Sequence, residues 1–240
     1  MSTPILVYTC DAYAWSVRPF AYLLNVYWSE MQPVYVCGTK SFPLPPNFTW
    51  LDVESRIKER WSDGLIEALR QIKEDILIWS LEDYWLCRRV DNVAIESLAE
   101  YMGMHPNILK IDLTADRLHS GKAYDVDTYG RMDIIETSWE TPYQLSTQMA
   151  CWNRKHLLSL LRPEMSPWDF ELQDKRLPNL RVLGTRQWPA RYCNGLGMGL
   201  SGDKYRTEHI RNGLGGTTIE RIPQEHIDEM HKLGFLPEQD

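Results

Sequence analysis

Apolar residues in the first half of the chain fall into short continuous runs separated by stretches of helical spacing. ILVYTC (5–10), PVYVCG (33–38), ILIWSL (76–81) and NILKIDL (107–113) each read as a buried strand. Between them, Phe20, Leu23, Leu24 and Tyr27 recur at helical intervals after Pro19, a residue suited to a first helical turn. Leu65, Ile66, Leu69, Ile72 and Ile76 mark one helical face behind Ser62 as a plausible N-cap. Asp91 caps a third helix with Ile95, Leu98, Ala99 and Met102 turned inward, stopping near His105-Pro106. Residues 41–48 hold three prolines and are a loop. This alternation predicts an α/β domain with a largely parallel sheet flanked by helices.

The second half is less regular. RMDIIETSW (131–139), YQLSTQMACW (143–152) and NLRVLGTRQW (179–188) read as strands. Asn153 caps a helix over RKHLLSLL, and Ser166-Pro167 opens a short one. Residues 191–202 form a glycine-rich loop, and a weak helical pattern spans 223–233. With no internal repeat and no clean linker, all 240 residues are taken as one domain.

Composition narrows the classes. No apolar stretch approaches a membrane span, and the N-terminus lacks the basic region and cleavage site of a secretory signal. The five cysteines are scattered with no CxxC, which fits a reducing cytoplasm rather than a disulfide framework. The net charge of −7 does not favour nonspecific binding to a polyanion. The charge is uneven, however. From Lys175 to Arg211 there are eight bases (175, 176, 181, 186, 191, 204, 206 and 211) and two acids (203 and 208), a surplus of six. This is either a solvated face or a surface that meets phosphate. Ten Trp and twelve Tyr suit a core, and also flat ring-shaped ligands.

Four places carry candidate chemistry. Glu82-Asp83 closes the third strand, and in open α/β sheets ligands bind beyond such carboxyl ends. The pair is either a ligand site, one acid for a ribose or sugar hydroxyl and one for a divalent metal, or an exposed strand end or helix cap. In SPWDFEL, Ser166 and Asp169 have capping-box spacing, whereas Glu171, near Trp168 and Phe170, is either a general base or an exposed helix acid. Asp11, after the first strand, either caps the next helix or reads a base edge beside Tyr13. Gly197, Gly199 and Gly202 spell GxGxxG too late in the chain for a dinucleotide fingerprint. No zinc-type histidine pair, GxSxG or P-loop occurs.

Together, TCDAY, RPFAYLLNVYW, LEDYW, LSTQMACWNRKHLLSLL, PWDFEL and RYCNG, in this order over residues 4–199, resemble small GT-A-type glycosyltransferases of bacteria and their viruses. The resemblance implies a GT-A (Rossmann-like) fold, a nucleotide-binding half over 1–115 and an acceptor-binding half over 116–240. It implies that Asp11 and Tyr13 hold the base of a UDP-type donor. Glu82 and Asp83 then take the place of an acidic DxD motif, with Asp83 on Mn²⁺ or Mg²⁺. Glu171 is implied as the base of an inverting transfer, Trp152, Trp168 and Asp169 as substrate contacts, and Arg191, Lys204 and Arg206 as cations for the leaving diphosphate. The acids here are adjacent rather than DxD-spaced, so bases could replace the metal. The implied acceptor is a glycan or, alternatively, a hydroxymethylated DNA base. A non-catalytic binding module and a nucleotidyltransferase are the rival readings, the latter lacking its signature loop after the first strand.

Overall fold

A computed structural model describes residues 2–38, 41–53, 61–119, 121–173, 179–195, 206–211 and 217–236. The first part follows the predicted alternation. Strand β1 (Ile5–Tyr8) leads into α1 (Val17–Tyr27) and returns as β2 (Val34–Cys37). A strand absent from the sequence reading, β3 (Phe48–Leu51), follows the proline loop, and α2 (Trp61–Gln71) leads to β4 (Ile76–Leu81). Ser62 lies inside α2 rather than capping it. Its buried hydroxyl donates to Arg162 O (2.6 Å) and accepts from Met165 N (2.9 Å). After a short strand β5 (Tyr84–Leu86), α3 (Asn92–Met104) starts where Asp91 accepts from Ala94 N, as its sequence predicts. It leads to β6 (Ile108–Asp112) and one helical turn, α4 (Asp116–His119).

The hairpin β7 (Tyr124–Tyr129) and β8 (Met132–Glu136) comes next. The expected strand over 143–152 is realised only as β9 (Ala150–Asn153), and the segment before it is a loop. Asn153 then caps α5 (Arg154–Leu160), accepting from Lys155 N and His156 N. The short helix α6 (Pro167–Glu171) opens on the Ser166/Asp169 capping box, with Pro at its start. Strands β10 (Arg181–Thr185) and β11 (Tyr192–Asn194) follow, then a two-stranded pair, β12 (Arg206–Arg211) with β13 (Thr217–Arg221), and α7 (Gln224–Lys232).

Nine strands form one sheet in the order β3-β2-β1-β4-β9-β6-β10-β8-β7. Pairing is parallel at β3/β2, β2/β1, β1/β4 and β6/β10, and antiparallel wherever β8 or β9 takes part. Seven strands therefore share one direction and two oppose it, so the sheet is mixed but mostly parallel. Its alternating side chains feed a core on each face. Ile5, Ile78, Ile111 and Cys151 pack against α1 and α3, whereas Leu6, Leu77, Trp79 and Trp152 pack against α2 and α5.

Candidate active site

The crevice for a ligand is set by topology. The chain leaves β1 to one side as β2 and returns on the other side as β4, so the carboxyl ends of β1 and β4 lie at a switch point. Tyr8 pairs with Leu81, which brings Thr9 beside Glu82, and burial is nearly complete there. Burial pushes the Glu82 carboxyl up to about 8, helped by the Asp83 charge and opposed by a bond from Thr9. Burial likewise pushes Asp83 up to about 6, opposed by a bond from Asn194. The turn is fixed from behind. Ser16 Oγ donates to Glu82 O (2.9 Å), the Trp85 indole donates to both Ser16 Oγ and Glu82 O, and Gly195 N donates to Asp83 O (2.7 Å). A Cβ on Gly195 would stand 2.2 Å from the Trp85 ring, so only glycine lets this strand close on Asp83.

A cavity of about 470 Å³ collects Asp83, Tyr84, Asp116, Ser146, Thr147, Trp168 and Glu171. Three elements thus supply its carboxylates: the turn after β4, the start of α4 and the end of α6. Glu171 is half-buried, and its Oε1 accepts from Thr147 N (2.6 Å) and Thr147 Oγ1 (2.7 Å). Asp116 Oδ2 accepts from Ser146 Oγ (2.7 Å), and burial together with the Asp112 charge pushes its carboxyl up.

The loop carrying Ser146 and Thr147 rests on buried cations. Lys110 Nζ pairs with Asp112 (2.7 Å) and donates to Ser146 O (2.8 Å) and Ser146 Oγ (3.2 Å). Arg117 pairs with Asp112 (3.1 Å) and donates to Thr137 Oγ1, Gln144 Oε1 and the carbonyls of Tyr143 and Gln144. All three charged residues are fully buried, and β10 passes so close that a Cβ on Gly184 would lie 2.4 Å from Arg117 Cβ. Burial lowers the Lys110 pKa, opposed by Asp112. Sequence reading missed this group, although KID set inside an otherwise apolar strand was its visible trace.

The structure separates the other expected site residues. Trp152 does not line the cavity. It is fully buried against Trp79 and Phe170, with Lys110 Nζ 5.0 Å from its ring centre. Asp169 is committed to Ser166 N and Oγ, bonds that hold its carboxyl below its usual range. Arg191 pairs with Glu220 (3.3 Å) and stacks on Trp188, and is not among the residues lining the cavity with Asp83. Asp11 and Tyr13 sit in the turn after β1. Tyr13 is 44% exposed, and Asp11 does not occupy the N-cap position of α1, which falls on Ser16 with no side-chain cap bond. Lys204 lies outside the described residues, as does the GxGxxG stretch, and of Arg206 only its place in β12 is described. Arg181 and Arg186 of the basic stretch pair with Glu136 (2.9 Å) and Asp125 (2.5 Å).

Among the described residues no three His, Cys, Asp or Glu side chains converge as a metal cluster, and no helix is long and apolar enough to cross a membrane. Asp83 Oδ1, however, is buried with no hydrogen-bond partner among the described residues. An orphaned carboxylate oxygen at a cavity wall fits a cation or a ligand donor.

No protein-family model and no curated protein sequence matches the chain. Among solved structures it is similar to CMP:2-keto-3-deoxy-manno-octonic acid synthetase complexed with CTP, at 15% identity over 71% of this chain and 82% of that one (TM-score 0.36). It is also similar to S. aureus TarS 1-349, at 11% identity over 80% and 59% (TM-score 0.42). A third is the galactosyltransferase LgtC in complex with donor and acceptor sugar analogs, at 13% over 65% and 60% (TM-score 0.33). The chain spans less than two thirds of the TarS and LgtC chains.

Proposed function

We propose that the chain transfers a sugar from a nucleoside-diphosphate sugar to an acceptor hydroxyl. The observation that carries this reading is the convergence of Asp83, Asp116 and Glu171 on one cavity beside the switch point of the sheet. A cavity walled by carboxylates repels a diphosphate unless a cation stands between them. Mg²⁺-type cations are held by one or two carboxylates and completed by substrate phosphates, so a dedicated protein cage is not required. Asp83 through Oδ1 is the group to hold that cation, and Glu82 the one to meet a ribose or sugar hydroxyl. Asp11 and Tyr13, at the neighbouring carboxyl end of β1, are the proposed contacts to the base, with UDP as the favoured nucleotide. The cation, when bound, would offset charge on the departing diphosphate.

Glu171 is the proposed base. The two hydrogen bonds that Thr147 donates fix its Oε1, and a fixed carboxylate can take the acceptor proton as the new bond forms. Attack from the side opposite the leaving group would invert the anomeric centre. The pairing of Arg181, Arg186 and Arg191 with carboxylates supports a small polyhydroxy acceptor over a hydroxymethylated base in duplex DNA, which would need free cations for phosphate.

A thermal-shift screen of nucleotide sugars with and without Mn²⁺ tests the reading. A donor at about 100 times its Kd stabilises by about 2.7 kcal/mol, several degrees in a chain of this size. Asp83→Asn should abolish the Mn²⁺-dependent part of the shift. Glu171→Gln should keep the whole shift while transfer falls about 10²- to 10⁴-fold. A panel with no shift under either condition rejects the proposal.

A further inference from the structure

A second cavity of about 400 Å³ opens beside the first. Pro142, Tyr143 and Glu171 line both, so Glu171 stands on the wall between them. The second cavity adds Trp139, Glu140, Gln144 and Gln173, an aromatic side chain among amides and a carboxylate. Exposed apolar side chains also gather here. Tyr143 is 50% exposed, Trp168 64% and Leu172 60%, and each lines a cavity that Glu171 shares. Single exposed apolar residues need no explanation, but several around one carboxylate mark a binding surface.

The backbone adds an independent observation. Tyr143 has φ of +58°, the left-handed region that disfavours any side chain with a Cβ. Buried Arg117 holds it there, donating through Nη2 to the carbonyls of Tyr143 (3.4 Å) and Gln144 (3.3 Å). The fold thus spends a buried arginine on a strained turn whose ring remains half in solvent. Strain of this kind clusters at ligand sites.

We propose that the second cavity is the acceptor subsite and takes a carbohydrate. The inference rests on the transferase reading above. A sugar ring presents C–H faces that lie flat on aromatic rings, here Tyr143 and Trp139, and hydroxyls that pair with amides and carboxylates, here Gln173 and Glu140. From this subsite one hydroxyl reaches Glu171 at the boundary. Its proton passes to the Glu171 carboxylate, its oxygen bonds to the anomeric carbon of the donor sugar, and the bond from that carbon to the diphosphate breaks with its electron pair on the diphosphate oxygen. Atoms and charge balance with no further reactant.

Saturation-transfer NMR with the methyl glycosides of glucose, galactose, mannose and N-acetylglucosamine tests the subsite on the native chain, Trp139→Ala and Tyr143→Gly. Glycine adopts the positive φ freely, so Tyr143→Gly removes the ring while keeping the melting temperature. At least one glycoside should receive saturation in the native chain, and its signal should fall by about fivefold or more in both variants. Nucleotide-sugar thermal shifts should stay unchanged in Trp139→Ala, whose side chain lines the second cavity and not the first. Absence of transfer to all four glycosides, or signals that persist in both variants, overturns the subsite. Nucleotide-sugar binding without glycoside binding rejects the subsite alone. Glycoside binding with no nucleotide-sugar binding rejects the transferase reading and leaves the sugar site standing.

Discussion

Glu82 and Asp83 titrate far from ordinary carboxylates, and this has a measurable consequence. Glu82 holds its proton to about pH 8 in the folded chain but only to about 4.5 when unfolded. Between those values the folded state binds more protons, so stability falls as pH rises and levels off above 8. The loss is on the order of a few kcal/mol. Urea midpoints at pH 5, 6.5 and 8 should therefore decline, and Glu82→Gln should flatten the decline, because an amide has no proton to lose. An unchanged slope in that variant would remove Glu82 as its source. Sequence showed that two acids end a buried strand, but not that both are buried. The turn that carries them is held by Ser16, Trp85 and Gly195, and of these only Trp85 is a near neighbour in sequence.

At the scale of elements, the loop before β9 matters more than any helix. Its pattern of apolar and polar residues reads as a strand, yet only 150–153 pair. The reason is that Tyr143, Gln144 and Ser146 bond to buried Arg117 and Lys110 rather than to a neighbouring strand. Capping is the opposite case. Asp91, Asn153 and Ser166 were legible because a cap is a contact between near neighbours in sequence. Glu171 stood out as an acid without a capping role, but Asp116 did not, because its partner Ser146 is thirty residues away (146 − 116). The bracing predicts that Thr147→Val, which deletes one of two bonds to Glu171, lowers the transfer rate about tenfold while donor binding stays intact. Thr147→Ser should restore the rate. Loss of donor binding in Thr147→Val would instead mean that the loop serves the donor.

For the whole molecule, the order β1, α1, β2, α2, β4, α3, β6 was legible because each of these announces itself by local periodicity, whereas the short strands β3 and β5 do not. The place of β9 between β4 and β6 was not, since pairing across the sheet leaves no local mark. Trp152 illustrates the difference. An aromatic in an expected sugar pocket proved to be core once the strand's facing was fixed. The basic stretch likewise lost part of its apparent surplus to acids on β7, β8 and β13. Because the proposed ligands sit at one end of the sheet, hydrogen exchange should slow on donor binding in the turns after β1, β4 and β6. It should stay unchanged in the turns that precede those strands. Uniform slowing would indicate global stabilisation without a local site.

The position of β9 also bears on how the chain matures. It alone joins β4 to β6, and β10 alone joins β6 to β8, so until residue 185 has emerged from the ribosome parts of the sheet present raw edges to each other and to other chains. The residues leading into β9 are the ones that steady Asp116 and Glu171. Closing the sheet is thus a late event that waits on β10, after Asp116 and Glu171 have been made, and a half-made chain is exposed to aggregation.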